Sequence, residues 1–147
     1  MKGLTFRSEF SGRIGSGYPL VEVDVQRIEQ VMGNLISNAM KHSDEGEIAL
    51  RLSLENTGEA VISIADEGRG IAATDLPYIF DQFYTKANGS KEAGHGLGLV
   101  ICKEIMQAHQ GRIWVESEEG RGTTFYLSLK VWEGSESEEE MKVLQLE

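Results

Sequence analysis

"NLISNAMKHS", residues 34–43, is the stretch on which the reading of the chain turns. It continues a pattern in which Val25, Ile28, Met32, Leu35, Ile36 and Ala39 recur at helical spacing behind Asp24, a residue suited to cap a helix. The same helix carries Asn34 and Asn38, and asparagine inside a helix costs roughly half a kcal/mol against alanine, because its side chain competes for backbone hydrogen bonds. The two asparagines lie one turn apart on one face, and Lys41 continues the stripe. An amide oxygen is a hard neutral donor suited to Mg2+, and a lysine one turn on is suited to phosphate oxygens. The alternative is that the asparagines satisfy adjacent loop backbone.

The chain has 147 residues, enough for one domain with a core and too few for two ordinary ones. Its content, 40% hydrophobic and 26% charged, is that of a soluble globular protein. No apolar run approaches the ~20 residues that cross a bilayer, and no signal peptide opens the chain, so the domain is expected in the cytoplasm and out of the membrane. The lone Cys102 sits among Leu99, Val100, Ile101 and Ile105, reads as a small buried hydrophobe, and excludes an internal disulfide or a multi-cysteine metal site. Net charge is −10, and Glu133–Glu147 holds six acids against one base, half of that total. Nucleic acid is therefore an unsuitable partner, and the "EGSESEEE" run reads as a solvated tail or linker, with the domain over 1–132 and the tail over 133–147.

Around the central helix the chain alternates strands and helices. Leu4–Phe10 reads as a strand, followed by the loop "SGRIGSGYP". "EIALRLSL" and "AVISIAD" read as a hairpin joined at Asn56, Thr57 and Gly58. "TDLPYIFDQF" reads as a short helix with Thr74 as cap and Pro77 in its first turn. The polar loop "TKANGSKEAGHG" is long enough to be a lid, and the helix "LGLVICKEIMQAHQ" ends at Gly111. "GRIWVES" and "GTTFYLSLK" close the domain as strands. This order predicts an α/β two-layer sandwich, with helices on one face of a mixed sheet.

The glycines gather in three places: Gly68 and Gly70 after a strand, Gly94, Gly96 and Gly98 where the lid meets a helix, and Gly120 and Gly122 before the last strand. Glycine admits close backbone approach, and glycines opening a helix leave free N–H groups at the positive end of its dipole, an anion site. Neither familiar phosphate motif applies. "GSKEAGHG" has His95 and Gly96 where a P-loop needs Lys and Ser/Thr, and "GHGLGL" is one residue short of the dinucleotide fingerprint and follows a lid. Asp66 ends an alternating strand, and its carboxylate, an acceptor only, suits an exocyclic amine such as that of adenine, or else forms the turn.

Together these stretches resemble the catalytic and ATP-binding domain of sensor histidine kinases, of the superfamily that includes DNA gyrase, the large heat-shock chaperone and mismatch-repair ATPases. "RIEQVMGNLISNAMKHS" is similar to the family's asparagine box, "DEGRGI" to its first glycine box, "IFDQFYTK" to its phenylalanine box, "GHGLGLVICKEIMQAHQGRIWVES" to its second glycine box with the elements after it, and "GRGTTF" to its last. The resemblance covers Leu4 to Lys130 and implies the Bergerat-type fold, a mostly antiparallel sheet. It implies ATP and Mg2+ as cofactors, with Asn38 on Mg2+, Asn34 on the same wall and Lys41 near phosphate oxygens. Asp66 would take the adenine amine, beside Gly68, Gly70 and Ile71, and Thr124 would support that end. Gly94, His95, Gly96, Leu97, Gly98 and Leu99 would hold the polyphosphate. Phe80 and Phe83 would pack the root of the lid. Lys86 either reaches the γ-phosphate or is a solvated lid residue, and His42 either stacks near the nucleotide or serves the surface.

In that family the γ-phosphoryl passes to a histidine on a separate helical dimerisation domain and then to a response regulator receiver domain, the partners the resemblance implies. None of His42, His95 and His109 lies in the His-Glu motif of such a phosphoacceptor, so the chain is expected to be one part of a longer kinase, whose parent can be membrane-anchored. The alternatives are a standalone anti-sigma-factor serine kinase of the same superfamily, a non-catalytic nucleotide-binding module, and, lowest in order, a gyrase-like ATPase.

Overall fold

In the computed structural model the residues described are 2–11, 20–55, 57–81 and 95–132, with the side chains of 95–97 left aside. The loop after Ser11, position 56, the lid with Phe83, Lys86 and Gly94, and the acidic segment 133–147 lie outside the described residues. The elements run β1 (Gly3–Ser11), α1 (Val25–His42), β2 (Glu45–Leu54), β3 (Glu59–Asp66), a 3-10 turn (Leu76–Tyr78), α2 (His95–Ala108), β4 (Arg112–Glu118) and β5 (Gly122–Lys130). This is the expected order.

The strands form one sheet in the order β1-β2-β3-β5-β4. β1 and β2 pair in parallel, because α1 carries the chain back across the sheet between them, and the other pairings are antiparallel. The two helices pack on one face, the expected two-layer α/β sandwich. Val31, Leu35 and Ala39 of α1, with Cys102, Ile105 and Met106 of α2, meet Ile48, Ile64, Phe125, Leu127 and Leu129 of the sheet. Strand alternation decides which side chains enter this core. On β5, Thr123, Phe125, Leu127 and Leu129 are buried, whereas Thr124 and Tyr126 line an open groove on the other face with Val61, Ser63 and Ala65.

α1 begins as expected, with the Asp24 side chain accepting from Arg27 N at 3.3 Å. The Asp24 N–H donates to His109 Nε2 at 3.0 Å, while His109 Nδ1 lies 2.8 Å from the Ile105 carbonyl oxygen. This imidazole joins the start of α1 to the end of α2. Three details differ from the reading of the sequence. Val25 is 62% exposed, since the first turn precedes the part of α1 that meets the sheet, and Val31 fills the core instead. The helix read across Thr74–Phe83 is a single 3-10 turn whose cap position is Asp75, with no side-chain cap bond. Pro77 lacks an N–H, and the bonds there run three residues back, Tyr78 N to Asp75 O and Asp81 N to Tyr78 O, each 2.9 Å. α2 stops at Ala108, short of Gly111, as Gln110 turns left-handed at φ 57° and Gly111 N donates to Met106 O at 2.8 Å.

Candidate functional site

α1 carries Asn34, Asn38, Lys41 and His42, and its contacts at two places lead to other candidate residues. On one side the Asn34 Nδ2 donates to the Gly98 carbonyl oxygen at 3.4 Å and lies 3.7 Å from Cys102 Sγ, so this asparagine holds α1 against the opening turns of α2. Cys102 is fully buried as expected, and burial pushes its thiol up. One turn on, the Asn38 Oδ1 lies 3.1 Å from His42 Nε2. Both side chains are half-buried. Lys41 does not join them. Its exposed side chain lines a shallow apolar groove with Gly33, Ile36, Ser37 and Met40. A seven-residue step falls only about 20° short of two turns, so its backbone lies on the stripe, but a long side chain at a helix end is free to lean away. His95, Gly96 and Leu97 lie in the first turn of α2, where N–H groups have no intrahelical acceptor, and Leu99 packs on the core.

At its C-terminal end α1 meets the loop that follows β3. The His42 carbonyl accepts from Arg69 N at 3.3 Å, and Ser43, extended at φ −126° and ψ 133°, ends the helix. Asp66 is 9% exposed at the end of β3, paired in register with Thr123. Burial raises its carboxyl above the ordinary value of 3.8, against the lowering effect of the N–H groups of Gly68 and Thr123 and of the Ser43 hydroxyl. Gly68 N donates to Asp66 Oδ1 at 2.9 Å. A Cβ at Gly68 would collide with the His42 carbonyl oxygen, so only glycine lets this loop close on α1. Gly70 turns left-handed, at φ 72°, and delivers Ile71, whose N–H donates to Ser117 Oγ at 2.8 Å. Ser117 Oγ in turn lies 2.9 Å from both the Gly122 carbonyl oxygen and Thr123 Oγ1.

The residue beside Asp66 is thus Thr123, 7% exposed, and not Thr124, which faces the opposite side of the sheet. The alternation back from Phe125 carried that signal: inward residues of β5 are odd-numbered up to Leu129. Ser43 and Ser117 also escaped notice, since single serines carry no pattern of their own. Phe80 packs edge-to-face on Phe125, with ring centroids 6.2 Å apart.

The raised carboxyl has a consequence for stability. The folded chain binds the Asp66 proton more tightly than the unfolded chain does, so protonation favours folding. That contribution is complete below 3.8 and is lost as pH climbs through the raised folded value. In melts between about pH 3 and 7, the native chain should lose ground to Asp66→Asn as pH rises through this window. A difference that is flat or widens in the native chain's favour would contradict the burial effect.

The chemistry of this arrangement fits a nucleotide. It offers a buried acceptor against a bare glycine for a base amine, and at the start of α2 first-turn N–H groups that lack intrahelical acceptors, for anionic oxygens. An amide oxygen such as that of Asn38 has two lone pairs, so contact with His42 leaves one for a cation. Among the described residues no three His, Cys, Asp or Glu side chains come together.

Comparison with known proteins agrees. Residues 23–133 match the family described as Histidine kinase-, DNA gyrase B-, and HSP90-like ATPase. Sensor histidine kinase WalK of Bacillus subtilis (strain 168) is 44% identical over 122 residues, which are 80% of this chain and 20% of WalK. The adaptive-response sensory kinase SasA of Synechococcus elongatus is 40% identical over 115 residues, 78% of this chain and 30% of SasA. Among solved structures, full-length ShkA in complex with AMPPNP aligns with a TM-score of 0.76 at 27% identity, covering 91% of this chain and 27% of ShkA. The catalytic domain of histidine kinase ThkA aligns at 0.69 and 29% identity, covering 86% and 79%. The chain spans a fifth to under a third of WalK and SasA. With its mixed five-stranded sheet and its asparagine and glycine boxes in family order, the chain belongs to the histidine kinase branch of these ATP-binding ATPase domains.

Proposed function

We propose that the domain binds Mg·ATP along α1 and presents the γ-phosphoryl to a histidine on a separate dimerisation and phosphoacceptor domain, with a response regulator receiver domain as the next acceptor. The observation that carries this reading is Asp66, a buried carboxylate that accepts from Gly68 N at the head of the loop that closes on the helix bearing Asn34 and Asn38. Asp66, Gly68, Gly70 and Ile71 receive the base, supported by Thr123. Gly96, Leu97, Gly98 and Leu99 offer backbone to the phosphates, and Asn38 holds Mg2+ beside Asn34. Bound Mg2+ supplies charge neutralisation on the phosphates. The protein's part is positioning, which is most of what phosphoryl transfer requires of it. The setting is cytoplasmic; no helix among the described residues is long and apolar enough to cross a membrane.

Calorimetry with ATP, ADP and GTP, with and without Mg2+, followed by incubation of labelled ATP with an added phosphoacceptor domain, tests the reading. Adenine-selective binding and transfer only when that domain is present are expected; rapid labelling of the chain's own histidine would refute it. Thr123→Val should weaken ATP binding several-fold, as loss of one hydrogen-bonding hydroxyl does, while Thr124→Val should leave it unchanged. Equal effects in titrations of the two variants would remove Thr123 from the base end.

A further inference from the structure

We propose that Ser43 is a positioning residue for Asp66: its hydroxyl, turned onto the carboxylate, orients that group as an acceptor and so sets the preference for a purine bearing an amine over one bearing a carbonyl at the same place. The inference rests on the assignment of Asp66 to the base.

Ser43 is 2% exposed, and its Oγ has no well-formed hydrogen bond among the described residues. A buried hydroxyl without a partner is uncommon and disfavours the fold, so its presence asks for a reason. The reason lies across Gly68. A Cβ on that glycine would stand 2.8 Å from Ser43 Oγ and 2.9 Å from Asp66 Oδ1, so both oxygens border the same bare Cα. The Ser43 hydroxyl also lowers the Asp66 carboxyl, against the larger raising effect of burial.

An ionised carboxylate offers about four lone-pair directions. The N–H groups of Gly68 and Thr123 occupy two from the protein side. A donated O–H from Ser43 takes a third and fixes the rotation of the group, which leaves one acceptor direction for a ligand. An amine donates into that direction, whereas a carbonyl there brings a second acceptor against the first, the mismatch that buried polar sites reject most strongly. A hydroxyl that merely ended α1 would do none of this. Its removal would then relieve an unsatisfied group and raise stability without touching selectivity.

Mg·ATP and Mg·ITP affinities, measured by calorimetry on the full chain, separate the two roles. Ser43→Ala is expected to lower the ATP preference about tenfold, and Ser43→Thr, which keeps the hydroxyl, to retain it. Ser43→Cys, similar in size and a poor donor, should behave as alanine does and serves if the alanine variant fails to fold. The inference is overturned if Ser43→Ala or Ser43→Cys keeps the native preference while Asp66→Asn abolishes it. If Asp66→Asn keeps the preference as well, the assignment of the base itself falls, and this inference with it.

Discussion

Asn38→Asp should cut phosphoryl transfer to an added phosphoacceptor domain by about a hundredfold or more, the scale of losing one well-placed electrostatic contact in a transfer reaction. The substitution is nearly isosteric on a half-buried helix position, so the melting temperature should move by no more than a few degrees. Two effects act together. A carboxylate at 38 would draw His42, now 3.1 Å from the amide oxygen, into an ion pair. It would also set a negative charge against the triphosphate where a neutral oxygen stood. ATP affinity and transfer rate measured side by side decide the matter; if both stay native, Asn38 does not meet the ligand.

The largest effect on stability is expected next door. Leu35 is fully buried between the two asparagine turns, among the α1, α2 and sheet side chains of the core. Leu35→Ala should cost about 3 kcal/mol, within the usual range for emptying such a site. For a domain of this size that lowers the melting temperature by roughly 10 °C. Saturating Mg·ATP should restore part of the loss, since a ligand that binds only the folded chain stabilises it by mass action. A denaturant titration showing less than about half a kcal/mol would mean that the core does not close around this residue.

How much of this was legible beforehand follows from which signals are periodic. The order of strands and helices was, because Ile62, Ile64 and Asp66 repeat every second residue and Leu35 and Ala39 every turn. The parallel pairing of β1 with β2 was not, since partner choice depends on where α1 sends the chain and not on either strand's composition. Helix ends were legible where a side chain makes the cap, as at Asp24, and not where backbone geometry alone does it, as at Gln110. At the candidate site, Asp66 and Gly68 stood out by position, whereas Thr123 required counting the strand register back from Phe125. Ser43 was invisible, because its interest lies in what surrounds it.

The chain's exit from the sheet carries a practical consequence. Trp132 N donates to the Leu20 carbonyl oxygen at 2.7 Å, pinning the far end of β5 to the segment that enters α1. Asp66 pairs with Thr123 at the other end of that strand, and the seven steps of extended chain from Thr123 to Lys130 measure roughly 23 Å. A reporter fused or a fluorophore coupled beyond Trp132 is therefore anchored at the pole remote from Asp66, so its signal can follow the domain's docking without shading the base end.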